Sequence, residues 1–240
     1  MGTTMRHATV SPEEVARFDA LASRWWDATG PMRPLHAMNP ARIGWIEANL
    51  QRRGLLATHP RVLDIGCGAG LASEALARLG CDVLGLDAAA EAIAAARAHA
   101  AEQDVPVAYR VGTAEELVAE GVRFPVVTAL EVIEHVPDPG HFVRLLAQLL
   151  EPNGMLFLST LNRTRRSYAV AKFGAEYVLR LLPVGTHDWR KFITPAELGT
   201  MTRSAGLRVA DAVGLTANPL TGQWRTGRDL SINYMMLAET

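Results

Sequence analysis

The sequence predicts a doubly wound α/β fold: a parallel sheet with helices on both faces and a terminal antiparallel strand pair. Three observations predict it. Short apolar runs alternate with helical stretches at βα spacing from Arg61 onward. A glycine-rich run, Val62–Gly70 (VLDIGCGAG), joins the first apolar run to its helix. An acidic residue, Asp87, closes the second apolar run.

Each element follows from local pattern. Ser11-Pro12-Glu13-Glu14 is a helix start, and the helix is expected to reach Trp25 and Trp26. Gly30, Pro31 and Pro34 break the chain, and a second helix is expected from Pro40 to Leu50. Seven strands are expected, at Arg61–Ile65, Asp82–Leu86, Val107–Val111, Pro125–Leu130, Met155–Thr160, Leu207–Leu215 and Leu230–Ala238. Helices are expected at Leu71–Leu79, at the alanine-rich Ala88–Glu102 and at Phe142–Leu150. Thr194-Pro195-Ala196-Glu197 opens another that runs to about Ala205. The chain thus divides into an N-terminal helical extension (1–58), a βα core (59–160), a helical insertion after the fifth strand (161–193) and a C-terminal helix with the strand pair (194–240).

Composition narrows the function. The chain has 240 residues, 49% of them hydrophobic, enough for one large domain with a substantial core. A net charge of −1 gives no electrostatic reason to expect nucleic acid as a partner. Cys67 and Cys81 form no disulfide framework or zinc spacing, and read as buried thiols in a reducing cytosol. Charges in the first twenty residues exclude a signal peptide there, and no apolar run reaches the ~20 residues of a membrane span. A cytoplasmic protein is expected, with peripheral contact at the inner membrane face left open.

Gly66, Gly68 and Gly70 let the backbone turn tightly and approach a ligand at the carboxyl end of the first strand. Their GxGxG spacing departs from the GxGxxG of a pyrophosphate loop. Asp64, at the strand end, suits an ammonium group and would sit badly beside a pyrophosphate. Asp87 is placed to accept hydrogen bonds from ribose hydroxyls. Together these features favour S-adenosylmethionine over a dinucleotide.

From Arg61 to Thr160 the sequence resembles the class I methyltransferases, a Rossmann-like fold. The resemblance places Gly66 against the methionine moiety, Asp87 on the ribose and Leu130 in the cofactor pocket. Thr113 stands where that family often has an acidic residue. Further segments carry a narrower resemblance: Ser23-Arg-Trp-Trp-Asp27, Pro34-Leu-His36, Asn39-Pro-Ala-Arg42, Glu131–Pro139, Ser159-Thr-Leu-Asn162, Gly174-Ala-Glu-Tyr177, Gly185-Thr-His-Asp188, Lys191-Phe192 and Asn233-Tyr-Met235. They resemble bacterial ubiquinone-biosynthesis O-methyltransferases over nearly the whole chain. The resemblance implies methylation of phenolic oxygens on polyprenylated substrates, with Arg42 reaching the cofactor. Two other readings stay open: a methyltransferase for another small molecule, and a non-catalytic cofactor-binding subunit of a quinone-assembly complex.

A phenol with a pKa near ~10 must be deprotonated before it attacks a sulfonium. Glu131, Glu134 and His135 follow the fourth strand, and a helical turn would place them on one face. Two carboxylates and an imidazole could hold Mg²⁺ or another divalent ion, which the resemblance also supports. His135 as a direct base and a purely structural role are the alternatives. In the insertion, Arg163, Arg165 and Arg166 precede a stretch with a narrow polar stripe, Lys172, Glu176 and Arg180, among apolar residues. It reads either as a core helix or lid, or as an interfacial helix on an anionic bilayer beneath a polyprenyl tail. Trp25 and Trp26 could line the substrate pocket, but aromatics on an amphipathic helix are more often core, and they are not assigned to the site.

Overall fold

The computed structural model describes residues 9–168, 189–218 and 221–240. A single sheet of eight strands organises them, in the order β3-β2-β1-β4-β5-β8-β6-β7. Strands β1 (Arg61–Ile65), β2 (Asp82–Asp87), β3 (Val107–Val111), β4 (Phe124–Leu130) and β5 (Leu150–Leu161) are parallel to their neighbours among themselves. Strand β8 (Asn233–Glu239) runs antiparallel between β5 and β6 (Arg208–Ala217). The order reverses between β1 and β4, and ligands bind at the carboxyl edge beside such a switch point.

Helices cover both faces. On one lie α2 (Arg33–Arg52) and α3 (Leu71–Arg78), which bury Trp45, Ile46, Leu50 and Leu76 against Val62, Val126 and Phe157. On the other lie α5 (Ala114–Ala119), α6 (Pro139–Gln148) and α7 (Pro195–Ser204), which bury Leu117, Phe142, Leu146 and Leu198 against Leu63, Val127 and Leu158. Helix α4 (Ala90–Glu102) packs Ile93, Ala96 and Ala100 on Tyr109 and Cys67. Residues of opposite parity on β1, β4 and β5 thus face different helical layers, as the pleat requires.

Several elements depart from expectation, each for a local reason. The first helix, α1 (Pro12–Asp19), buries no residue and stops before the tryptophans, which lie beyond a 3₁₀ turn at Ala22–Arg24. A helix that short, with nothing buried, has little to propagate it. Helix α2 begins at Arg33, because Pro34 supplies the favoured proline of the first turn, while Pro40 lies inside the helix. Helix α5 was not expected, although Thr113 and Glu116 form a complete capping box at its start. The sheet has eight strands instead of seven, because β7 (Trp224–Gly227) folds back on β6 as a short edge strand. Strand β5 begins five residues before the expected Met155 and takes in the turn-like Glu151-Pro-Asn-Gly154, with Asn153 at φ +62° and a register shift opposite Phe124–Val126. The insertion's stripe and apolar face, Val170 to Leu182, lie outside the described residues.

The capping box carries a measurable load. Thr113→Ala removes a side chain that accepts the Glu116 N–H, and a cap of this kind is worth about 1 kcal/mol. The expected outcome is a lower urea midpoint with an unchanged m-value.

Candidate active site

The loop after β1 needs its glycines for two separate reasons. Gly66, Gly68 and Gly70 have φ of +68°, +53° and +89°, which L side chains resist. Space is also closed to a methyl group. A Cβ at Gly66 would lie 2.3 Å from Val132 Cγ2, and one at Gly68 2.2 Å from Trp25 Cζ2. One at Gly70 would lie 2.1 Å from Tyr109 Oη.

Asp87 holds the loop in shape. The Gly68 N–H donates to its Oδ2 at 2.8 Å and the Ala89 N–H to its Oδ1 at 2.8 Å. Burial raises its pKa against these two bonds. Each carboxylate oxygen has a second lone pair, so acceptor capacity for a ribose remains.

Asp64 is 1% exposed and tied to two neighbouring elements. Ser73 Oγ on α3 donates to it at 2.6 Å and Thr128 Oγ1 on β4 at 2.7 Å. Burial raises its pKa, while those hydroxyls and the charge of Arg42 oppose the rise. Arg42, on α2, is 3% exposed and donates through Nη2 to Asn39 Oδ1 at 2.9 Å. Burial lowers its pKa, and the charges of Glu131 and Asp64 act to keep it protonated.

Arg42, Asp64, Gly66, Asp87, Leu130, Glu131 and His135 all line one cleft of about 1070 Å³, its open mouth included. Glu134 lines a neighbouring cleft, which His135 also borders. The structure therefore brings together every expected cofactor residue, and separates one of the three expected metal ligands.

The reason corrects the helical-face expectation. Glu131 has φ +59°, and a 3₁₀ turn begins only at Ile133. Glu131 Oε1 accepts Ser159 Oγ at 2.7 Å and its Oε2 accepts Asn233 Nδ2 at 3.1 Å. Ser159 shares strand parity with Phe157, on the α2/α3 side. Glu134 Oε2 accepts Thr160 Oγ1 at 2.9 Å, and Thr160 shares parity with Leu158, on the α6 side. The two carboxylates thus grip successive β5 residues that face opposite layers. His135 points elsewhere again, with Nδ1 3.2 Å from Glu14 Oε2 and its ring edge-on to Phe18 at 5.3 Å. Among the described residues no three His, Cys, Asp or Glu side chains are grouped so as to hold a metal ion.

Comparison with known proteins now bears on this cleft. Residues 38–212 match the family described as "Methyltransferase domain". The chain is 50% identical over 240 residues to the ubiquinone biosynthesis O-methyltransferase of Azorhizobium caulinodans, covering 97% of this chain and 95% of that one. The chain belongs to this methyltransferase family. The ubiquinone biosynthesis O-methyltransferase of Pseudomonas aeruginosa is 49% identical over 230 residues, covering 95% and 97% of the two chains. Among solved structures, magnesium protoporphyrin IX methyltransferase from Synechocystis with bound S-adenosylmethionine has a TM-score of 0.64 at 18% identity, covering 97% of this chain and 98% of that one. A possible histamine N-methyltransferase from Thermotoga maritima has a TM-score of 0.65 at 16% identity, covering 93% and 98%. These structural likenesses bear on the fold, which is that of class I S-adenosylmethionine-dependent methyltransferases.

Residues missed from the sequence also line the cleft, Glu14, Phe18 and Trp25 among them. They come from the N-terminal extension, whose fold over the sheet edge no local pattern reveals. The Thr113 capping box was a legible signal, and α5 anchors the same segment. Thr9 donates to the α5 residue Glu115 through N at 2.7 Å and Oγ1 at 2.9 Å.

Burial, reinforced by the nearby Glu131 charge, pushes Glu134 up to about 8 from its ordinary 4.5. The folded state therefore holds a proton that the unfolded chain releases. The associated stability is complete below pH 4.5 and is lost as pH rises to about 8. Glu134→Gln, in buffer freed of divalent ions, should flatten the fall in urea midpoint between pH 5 and pH 8. A second expectation concerns the loop: Gly66→Ala should cost about 1–3 kcal/mol through strain and overpacking. Thermal melts and S-adenosylhomocysteine titration would register both the lost stability and a weakened site.

Proposed function

We propose that the chain transfers the methyl group of S-adenosylmethionine to phenolic hydroxyls of polyprenylated catechol and demethylubiquinol intermediates in ubiquinone biosynthesis. The observation that carries the reading is the composition of the cleft at the carboxyl edge of the sheet. The glycine loop, Asp64, Asp87 and Arg42 line one part of it, and Glu131 and His135 another. The curated relatives, about half identical across nearly the whole chain, supply the acceptor class.

The cofactor's polar groups find matching chemistry here. Asp64 and Asp87 are acceptors for its ammonium and ribose groups, and Arg42 carries a buried Nε without a partner. The reaction is an in-line displacement: the phenolic oxygen bonds to the methyl carbon as the carbon–sulfur bond breaks, and the sulfonium becomes a neutral thioether. The phenolic proton must leave first, since a phenol with a pKa near ~10 is mostly protonated at neutral pH. His135, oriented by Glu14, is a basic group at the cleft wall.

In the alternative to that base, a divalent cation such as Mg²⁺ would take Glu131, Glu134 and His135 as ligands, and when bound would favour the phenolate. The two carboxylates are the oxygen donors that a hard cation takes. Their present bonds to Ser159, Asn233 and Thr160 keep the carboxylates apart, so ligation requires rearrangement.

A polyprenyl tail remains in a bilayer, which favours peripheral contact with an anionic membrane. No helix among the described residues is long and apolar enough to cross a membrane. Exposed Arg165, and Arg166 in its surface pair with Asp229 at 2.7 Å, lie at the start of the insertion. Arg163 is instead committed inward, to Glu197 and the Phe192 carbonyl.

A methyl-transfer assay on a short-chain demethylquinol, with and without chelator, tests acceptor and cation together. Transfer that falls on chelation and returns with Mg²⁺ is the expected result. Full activity after exhaustive chelation, or in a Glu131→Ala/Glu134→Ala variant, would remove the cation. Absence of transfer to any quinol would remove the acceptor class. Replacing Arg165 and Arg166 by Glu should weaken binding to anionic liposomes, and unchanged binding would refute the membrane contact.

A further inference from the structure

Five side-chain atoms among the described residues are buried without a hydrogen-bond partner: Trp25 Nε1, Arg42 Nε, Tyr109 Oη, Asn162 Oδ1 and Asn233 Oδ1. Of these residues, Trp25 and Arg42 line the cofactor cleft. Both orphaned atoms are donors, and both belong to the N-terminal extension. A buried donor left unpaired is costly, so each of the two calls for a partner, and in a cleft that partner is a bound ligand or an ordered water.

The neighbouring tryptophan shows that the situation of Trp25 is specific. Trp26 Nε1 donates to the Ala69 carbonyl at 3.0 Å, and its ring stacks on His99 at 3.4 Å. Trp26 is therefore an anchor with its polar group satisfied. Trp25 lies against the same loop, 5% exposed, with its six-membered ring over Gly68. Its backbone carbonyl accepts His36 Nε2 at 2.8 Å, and Phe18 packs on its ring at 6.0 Å. Backbone and ring are fixed, yet the indole N–H has nothing to bond.

The chemistry of the cofactor selects the partner. Its ammonium group only donates, and the cleft offers it Asp64. Its ribose hydroxyls both donate and accept, and the cleft offers them Asp87. Its carboxylate only accepts, and needs donors that no carboxylate can supply. We propose that Trp25 is a cofactor-binding residue whose indole N–H donates, together with Arg42, to the carboxylate of S-adenosylmethionine. This assignment rests on the cofactor reading above and adds a contact from the extension.

Calorimetry with two ligands separates the possibilities. S-adenosylhomocysteine carries the carboxylate, whereas 5′-methylthioadenosine keeps the ribose and adenine without it. Trp25→Phe, which retains a ring but loses the N–H, should weaken S-adenosylhomocysteine about tenfold, as expected for a hydrogen bond to a charged group. Binding of 5′-methylthioadenosine should change less than twofold. Equal weakening of both ligands, or no weakening of either, would overturn the proposal. Should the variant fail to fold, the assigned indole N–H resonance of Trp25 in the unaltered protein decides. It should move downfield with S-adenosylhomocysteine and stay in place with 5′-methylthioadenosine; any other pattern refutes the contact. If the unaltered protein bound neither ligand, the cofactor reading itself would fall, an outcome distinct from a failure at Trp25 alone.

Discussion

A carboxylate buried at the end of the first strand is the constraint around which the rest is arranged. Asp64 would be expensive in a core without partners. Ser73 and Thr128 supply hydroxyl donors from α3 and β4, and Arg42 supplies a cation from α2. One side chain thereby fixes the spacing of the first strand, the glycine-loop helix and the neighbouring strand across the switch point. It also draws the extension inward, because Arg42 is buried only where anionic groups surround it.

The same alternation that sends Asp64 toward α3 decides the fate of the acidic segment after β4. Ser159 and Thr160 are consecutive on β5 and face opposite layers. They receive Glu131 and Glu134 respectively, so the carboxylates straddle the sheet edge. The segments Ser159–Asn162 and Asn233–Met235 stood out in the sequence only through family resemblance. Their physical role here is concrete: Ser159, Thr160 and Asn233 hold the two acidic side chains in place.

What was legible in the sequence follows from how local each signal is. The βα rhythm, the glycine loop and the strand-end aspartates are short-range patterns; the rhythm located the parallel strands, and the loop and aspartates fall together on one cleft. Helix α7 was read from its Thr194–Glu197 box, and the same logic applied to Thr113–Glu116 would have found α5. Geometry after β4 was not legible, because a positive φ at Glu131 replaces the assumed helical turn. Trp25 packs as the core aromatic expected, with Met32 and Ala69, but it also lines the cleft. An aromatic on an amphipathic segment gives no sign that the segment ends early and lays its ring on a loop more than forty positions ahead.

The short strand β7 has a consequence for how the molecule behaves among copies of itself. The antiparallel end of a mixed sheet presents unpaired amides and carbonyls, and a long apolar strand there invites another chain to add on. Here the outermost position is occupied by Trp224–Gly227, four residues long and mostly exposed, with Arg225 among them. Strand β6, ten residues long, is paired with β8 on one side, and on the other β7 covers its last four residues, Gly214–Ala217. A brief, charged border of this kind is a poor template for stacking. The short strand that lengthens the sheet thus makes the edge beside Gly214–Ala217 a poor place for another chain to add on.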